Sequence, residues 1–275
     1  MKNSLIILTI AGLSFGSCKK AEELKYSYPD SNIYLNFSDN TTQRDSVVYT
    51  FAYTPGLAKD TVFIPIRISG MRKSYDRTFK VAVNEALSTA KPGTHYEALK
   101  DAYTLPADSG KAWLPIIVYN TDPTLADRSV MLSFGLVASE DFMVDLSDMT
   151  TGRVVISNNL EKPYWWGPGQ DTWGIPNYSK VKHELWLIAT GIIDLPFNGL
   201  NAPQYLYYLG QLTSLLNNPQ AWVDSHPESG YVLVDRPDGN YDFYNTSIPA
   251  KKLLYKKNSQ SGKYYFIDEN GIEVI

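Results

Sequence analysis

Residues 33 to 157 alternate between apolar and polar side chains in short segments. The clearest segment is 60–69, in which Val62, Ile64, Ile66 and Ile68 recur at every second position. A period of two is typical of a β-strand that buries one face. Turn-forming residues separate the segments, and no long helical pattern interrupts them. The pattern predicts a two-sheet β-sandwich built from seven strands at 33–37, 46–53, 60–69, 78–84, 112–119, 129–137 and 153–157.

Pro65 lies within the best of these strand patterns. Proline has no backbone N–H to contribute to a ladder of hydrogen bonds, so it is confined mainly to edge strands and bulges. We therefore expect the strand at 60–69 to be an edge strand or to carry a bulge.

The pattern changes near residue 158. Residues 161–178 combine proline, glycine and tryptophan, and we expect no regular element there. From Val181 to Ile192 the apolar residues recur at intervals of three and four, which predicts a helix that Ser179 caps and that ends at Gly191. Further helices are predicted at 203–217 and 219–224. Short strands are predicted at 231–234, 241–244, 253–255, 264–267 and 272–275, the last two joined by Asn270-Gly271.

These elements predict a mainly β chain in four parts. A leader occupies 1–17 and a tether 18–31. The sandwich occupies 32–160, and an aromatic-rich linker with a smaller α+β region occupies 161–275.

The leader has a basic start at Lys2, an uncharged apolar run of eleven residues at 5–15, and the small residues Gly16 and Ser17. This is the layout of a secretory signal peptide, and the run is too short to span a bilayer. Cys18 follows directly and is the single cysteine of the chain. The arrangement resembles the bacterial lipobox, with Phe15 where leucine is usual, and the resemblance implies that Cys18 is lipidated. The alternatives are a plain secretory leader with a coincidental cysteine, or a buried thiol.

The residues after Cys18 are charged: Lys19, Lys20, Glu22 and Glu23. They resemble the export signal of Bacteroidota lipoproteins, which directs these proteins to the outer face of the outer membrane. The alternatives are a generic solvated linker and the periplasmic face. We expect the lipid anchor to be the contact with the membrane.

Composition narrows the possible partners. The formal net charge is −4, from 25 Lys and Arg against 29 Asp and Glu. Nucleic-acid binding requires clustered basic residues, so we expect no nucleic-acid partner. One cysteine excludes an internal disulfide framework.

The sandwich segments also resemble Calx-beta and immunoglobulin-like modules. The turn at 93–96 is similar to the module's "small residue, Gly, x, Asp, Tyr" turn, with His95 in place of the aspartate. Acidic residues at these turns bind calcium in that family, and here only Asp122 matches in the later turn. Calcium takes six to eight oxygen ligands, so we expect neither a metal nor a cofactor.

The chain as a whole resembles a domain-of-unknown-function family of Bacteroidota lipoproteins. The lipobox with its charged tail, the strand at 60–69, the turn at 93–96, and the stretches 164–166 and 178–182 carry the resemblance. Genes of this family often lie beside the transporter and glycan-binding lipoprotein of polysaccharide-utilisation systems. The resemblance implies a possible outer-membrane transporter complex as partner and transfers no catalytic residue.

No sequence motif identifies a reaction. His183-Glu184 begins like a zinc-protease helix, but Leu187 stands where the second histidine is required. The other histidines, His95 and His226, are far from His183 and from each other in the sequence. The three therefore lack the spacing that is typical of metal ligands. Carboxylate pairs can hydrolyse glycosides, but no pair among the acidic residues is singled out. We expect the protein not to be an enzyme.

The aromatic residues are the better indication of binding, because tryptophan and tyrosine present a flat apolar face with a polar rim. A platform for a sugar ring is the hypothesis for Tyr164, Trp165, Trp166 and Trp173. The alternative is that these residues fold back and seal the junction between the two halves. Trp113 and Trp186 are expected in the core.

Three functions follow from the sequence. The first is a non-catalytic, surface-exposed outer-membrane lipoprotein that assists the capture of a glycan or other nutrient. The second is a structural or adhesion module that binds a protein. The third is a glycan hydrolase with a site between the halves.

Overall fold

The computed structural model describes residues 31–37, 45–195 and 202–275. Its N-terminal half is a β-sandwich, as the alternation predicts. It has eight strands in place of the predicted seven, because the three residues of β5 are too few to show a period. The strands are β1 (Asn32–Leu35), β2 (Ser46–Thr50), β3 (Lys59–Ser69), β4 (Arg77–Val83), β5 (Tyr103–Leu105), β6 (Lys111–Tyr119), β7 (Val130–Val137) and β8 (Thr151–Ser157).

The eight strands form two sheets with an apolar core between them. One sheet has the order β1-β3-β6 and is antiparallel. The other has the order β2-β8-β7-β4-β5, in which only the β2–β8 pair is parallel. Apart from Arg77 at the start of β4, the buried inward positions of the two sheets are mainly apolar. They include Ile33, Ile64, Ile66, Phe79, Leu114, Ile116, Phe134, Val154 and Ile156. Burial of this apolar area is what holds the two sheets together.

Pro65 lies in the middle strand of the three-stranded sheet, so the predicted edge position or bulge is wrong. Its carbonyl accepts a hydrogen bond from the Asn36 N–H at 2.9 Å, one residue beyond the end of β1. The N–H and C=O groups of one strand residue face the same neighbouring strand. The Pro65 nitrogen therefore faces the place where β1 ends, and the missing donor does not interrupt an otherwise continuous ladder.

In the described residues of the C-terminal half, four α-helices precede a five-stranded antiparallel meander. The helix predicted after Ser179 is confirmed: the Ser179 hydroxyl accepts a hydrogen bond from the Lys182 N–H at 3.1 Å, and Gly191 ends the helix. The elements are α1 (Trp166–Trp173), α2 (Lys180–Thr190), α3 (Ala202–Asn217), α4 (Pro219–Ser225), β9 (Tyr231–Asp235), β10 (Tyr241–Asn245), β11 (Leu253–Lys257), β12 (Tyr264–Ile267) and β13 (Glu273–Val274). The predicted fold class, mainly β with a smaller α+β region, is confirmed.

The short helix α1 lies where no regular element was expected. Pro168 is its third residue, and a helix tolerates proline there because the first N–H groups have no acceptor within the helix. Gly174 ends the helix in the left-handed conformation, with φ of 70°. Proline and glycine were expected to prevent a helix here. Pro168 instead lies in the first turn of α1, and Gly174 ends it.

The C-terminal half packs on the end of the sandwich at which β3 begins. Ala52, from the loop after β2, is buried within the apolar cluster of the C-terminal half. The Lys180 ammonium lies 3.7 Å from Asp127. The first described residue, Ser31, is at the opposite end, because Asn32 pairs with Ser69 at the end of β3. The first described segment therefore starts at the end of the sandwich far from the C-terminal half.

Among the residues described, no helix has both the length and the hydrophobicity that crossing a membrane requires.

Candidate functional site

Two aromatic side chains lie exposed together on the outer face of the three-stranded sheet. Phe63 in β3 and Trp113 in β6 are each 58% exposed, and their ring centroids are 6.5 Å apart with the planes at 79°. Phe63 alternates with the buried Ile64, and Trp113 alternates with the buried Leu114. Because successive strand residues point to opposite faces, burial of the two aliphatic side chains directs both rings into solvent. The prediction that Trp113 is a core residue is wrong.

Two prolines complete this aromatic face, which we define as Phe63, Pro65, Trp113 and Pro115. In the register of β3 and β6, Pro65 lies opposite Trp113 and Phe63 lies opposite Pro115. The four apolar side chains therefore form two adjacent cross-strand pairs. Single exposed apolar residues are common on protein surfaces, but contiguous patches frequently mark binding sites.

A polar cleft adjoins the aromatic face. Arg67 and Lys111 are the next pair on the same side of the sheet, directly opposite each other. Like charges in this arrangement destabilise a sheet, so the pair does not contribute to the stability of the fold. The cleft has a volume of about 490 Å³, within the usual range for ligand sites, and its lining includes Tyr34, Arg67, Arg72, Asp108 and Lys111.

The aromatic face and the cleft together offer two kinds of contact. The Trp113 and Phe63 rings can pack against the C–H surface of a sugar. The guanidinium and ammonium groups of Arg67, Arg72 and Lys111 can donate hydrogen bonds to hydroxyl or acidic oxygens. This combination suits a ligand with an apolar face and polar edges.

The predicted platform in the linker does not exist as a surface. Trp165 and Trp166 are 1% and 0% exposed, so neither ring can stack on a sugar. Their indole N–H groups donate to the carbonyls of Ile193 and Pro176, at 3.2 and 2.9 Å. Both rings pack against Trp186, which is buried as predicted. The platform hypothesis is wrong for these two residues, because the hydrophobic effect places them in the core of the C-terminal half.

Tyr164 is the one residue of that hypothesis whose exposed side chain the structure describes. It is 70% exposed, and its hydroxyl donates to Asp194 at 2.9 Å. Trp173 ends α1, and its side chain lies outside what the structure describes. Cys18 and the charged residues Lys19, Lys20, Glu22 and Glu23 also lie outside the described residues.

His95 and Asp122, separated in sequence, meet in the structure. The Lys91 N–H donates to Nδ1 of His95 at 2.8 Å, so the ring proton is on Nε2, which donates to Asp122 at 2.9 Å. The hydrogen bond from His95 lowers the pKa of Asp122 to about 2. His95 therefore engages the carboxylate that the resemblance to Calx-beta modules singled out. Within the described residues, no group of three His, Cys, Asp or Glu side chains could hold a metal ion.

His183 is buried among aromatic rings. Its ring centroid lies 6.3, 5.4 and 5.8 Å from those of Trp165, Trp166 and Tyr178, and neither ring nitrogen has a hydrogen-bond partner. Burial lowers the pKa of His183 to about 4. The nearby backbone of Glu161 acts in the opposite direction and raises the pKa. It is too poorly placed to form a hydrogen bond, so it offsets the effect of burial only in part. The residue has no place in a metal site and is a neutral core residue at pH 7.

Acid is expected to destabilise the fold through His183. The unfolded chain takes up a proton near pH 6.5, whereas the folded chain takes it up only near pH 4. The unfolded state therefore binds more protons between these values, and the free energy of unfolding falls as the pH is lowered. At pH 4 the free energy of unfolding is expected to be about 3 kcal/mol lower than at neutral pH. Urea denaturation at several pH values measures it.

The matched variant is His183→Phe, which keeps an aromatic ring and removes the titrating group. Its stability is expected to change much less between pH 6.5 and pH 4, since the shifted carboxyl of Asp122 titrates near pH 2. Parallel pH profiles for the two proteins would contradict this assignment.

Sequence reasoning missed the aromatic face, although the signal was present. Phe63 and Trp113 fall on the positions opposite to the isoleucines and leucines of their strands. If the alternation is followed strictly, both residues fall on the outer face of the sheet. The prediction for Trp113 was wrong because large aromatic residues were expected in the core. The pairing of β3 with β6, which brings the two rings together, has no signal in the sequence alone.

Several solved structures are similar to this chain, each over about half of its length. The apo-form Calx CBD1 domain is 13% identical with a TM-score of 0.34, and the match covers 46% of this chain and 96% of that one. A Bacteroides ovatus protein of unknown function is 17% identical with a TM-score of 0.33, and coverage is 45% and 43%. Another from Bacteroides ovatus, provisionally described as carbohydrate-binding, is 12% identical with a TM-score of 0.34, and coverage is 47% and 38%. The chain spans less than half the length of either Bacteroides protein.

No curated protein matches the chain in sequence. A family model does match, over residues 26–192, which includes the whole sandwich and continues through α1 and α2. The chain therefore belongs to the DUF4843 family, a domain of unknown function.

Proposed function

We propose that this protein is a non-catalytic lipoprotein that captures glycans at the cell surface through the aromatic face of its sandwich. The observation that carries the proposal is the exposure of Trp113 and Phe63 side by side, next to a cleft with basic side chains. Exposing two aromatic rings forgoes the stabilisation that burial would give. A ligand that covers them would recover it.

The proposed anchor agrees with this placement of the face. Lipidation at Cys18 would leave the tether at 18–31 between the membrane and Ser31. Strand β1 starts there, so the sandwich would stand between the membrane and the C-terminal half. The aromatic face runs along the side of the sandwich, open to a long ligand. An outer-membrane transporter is the proposed partner for the captured glycan.

Replacing Trp113 by alanine is expected to weaken glycan binding about tenfold, the equivalent of about 1.4 kcal/mol. The loss arises because the ring contributes apolar area and stacking that alanine cannot supply. Affinity electrophoresis against a panel of polysaccharides identifies a ligand, and calorimetry on that ligand measures the change.

Tyr164→Ala is the matched control, because it removes an exposed aromatic ring from the other half of the protein. Its affinity for the identified polysaccharide should equal that of the wild-type protein. If no polysaccharide in a broad panel is retained, or if Trp113→Ala binds normally, the glycan proposal fails.

A protein partner is the second candidate. Helix α3 exposes Leu206 and Tyr207, at 58% and 62%, as adjacent apolar side chains. Aromatic residues such as tyrosine are enriched at protein interfaces. A partner that binds α3 would remain bound to Trp113→Ala, which separates this candidate from the first.

A further inference from the structure

A buried arginine closes the tether end of the sandwich. Arg77 begins β4 and is 3% exposed. Its Nη1 donates to the Ser31 hydroxyl at 3.0 Å, and its guanidinium lies 4.6 Å from the centroid of the Phe142 ring. Its Nη2 is buried and has no hydrogen-bond partner. Buried charges in proteins are normally paired, because an ion without a counterion is costly to remove from water.

Arg77 lines a small pocket that contains a second cation without an ion pair. Lys73, half-buried in the loop after β3, lines the same pocket. Among the described residues, no carboxylate lies within 4 Å of the nitrogens of either side chain. The Ser31 hydroxyl accepts from Arg77, which leaves its own proton free to donate. Three residues with side-chain donors, Ser31, Lys73 and Arg77, therefore line one pocket.

The two acidic residues of the pocket do not neutralise these cations directly. The Asp141 carboxylate accepts from the Thr78 N–H at 2.7 Å and from the Thr78 hydroxyl at 3.2 Å. Glu140 is exposed at the rim. Among the described residues, Arg77 therefore remains a charged side chain without a counterion in the wall of this polar pocket.

The loop geometry keeps Ser31 in this place. Gly70 has φ of 136°, and a Cβ atom on it would lie 3.0 Å from the Ser31 hydroxyl oxygen. Only glycine permits this approach without strain. The start of β1, the end of β3 and the start of β4 are thereby held around the pocket.

We infer that this pocket binds a carboxylate or sulfate group, and that the glycans captured by the protein are acidic. The pocket volume of about 180 Å³ suits one such group with its waters and is too small for a whole oligosaccharide. Lys73 lines the pocket and its neighbour Arg72 lines the cleft beside the aromatic face, so both sites border one loop. The identity of the ligand as a glycan rests on the proposed function, whereas the anion site rests on Arg77 and Lys73.

Calorimetry on the full chain, purified in detergent, tests the inference with sodium glucuronate, sodium sulfate and neutral glucose. We expect glucuronate to bind, and binding to weaken as salt is raised. Arg77→Gln should weaken it at least about tenfold, because a charged donor is replaced by a neutral one. Lys73→Gln should weaken it about threefold. Arg128→Gln, which removes an exposed arginine elsewhere, should have no effect.

Lys73→Gln keeps the test decisive if Arg77→Gln fails to fold, because Lys73 is in a loop. Absence of glucuronate and sulfate binding overturns the anion site, and the glycan proposal is then still judged on neutral polysaccharides through Trp113. Sulfate binding without glucuronate binding supports the anion site and identifies the acidic group of the glycan as a sulfate. Glucuronate binding that survives both substitutions places the anion elsewhere and overturns the inference.

Discussion

Trp166→Ala is expected to lower the free energy of unfolding by about 3 to 5 kcal/mol, the usual cost of emptying a large aromatic site in a core. The ring is fully buried and packs against Trp165 and Tyr178, with centroids 5.3 and 5.2 Å away. The Pro176 carbonyl also loses the indole N–H that donates to it at 2.9 Å. A change of this size is a large share of the stability of an ordinary domain. Urea denaturation followed by circular dichroism measures it.

Tyr164→Ala is the control two positions away. Its ring is 70% exposed, so its replacement is expected to change stability by no more than about 0.5 kcal/mol. Comparing the stabilities of Trp166→Ala and Tyr164→Ala shows which of the two linker residues belongs to the core. Equal stability of Trp166→Ala and the wild type, together with loss of glycan binding, would restore the platform hypothesis.

Cys18→Ser is expected to move the protein from the membrane fraction to the soluble fraction. Each buried methylene of an acyl chain contributes about 0.8 kcal/mol, and one chain binds only marginally, so firm anchoring requires more than one. Serine provides no thiol for a lipid, and the apolar run at 5–15 is too short to span the membrane in its place. Fractionation of cells labelled with a radioactive fatty acid reports both location and acylation.

A variant with Lys19, Lys20, Glu22 and Glu23 replaced by alanine is the control, because it retains Cys18. It should stay acylated and membrane-bound, and protease shaving of intact cells should no longer reach it. If the serine variant remains in the membrane and no acylated precursor is ever seen, the lipoprotein hypothesis is wrong.

The regular elements were predictable because their signals are local. The alternation of Val62, Ile64 and Ile66 defines a strand wherever it packs, and Ser179 with Gly191 bounds a helix through its own backbone groups. Elements without a repeating pattern were missed. Strand β5 has three residues, and α1 is built from a stretch rich in proline and glycine.

The candidate site was not predictable in the same way. Trp165 and Trp166 lie in a segment without periodicity, so nothing local indicates which face they turn to the core. Trp113 and Phe63 are 50 positions apart and become neighbours only through the pairing of β6 with β3. Arg77 reaches Ser31 only because the two sheets meet at that end of the sandwich.

The residue pattern alone was enough to predict a β-sandwich followed by a smaller α+β half, because strand and helix periods arise from backbone geometry that each segment carries within itself. It also supplied Cys18 and its charged tail, on which the proposed location depends. Which aromatic rings are buried, which are exposed, and which cation lacks a counterion became known from the packing of the folded chain. Those properties depend on what distant segments pack against a side chain, since burial and charge compensation are set by neighbours in space and not along the chain.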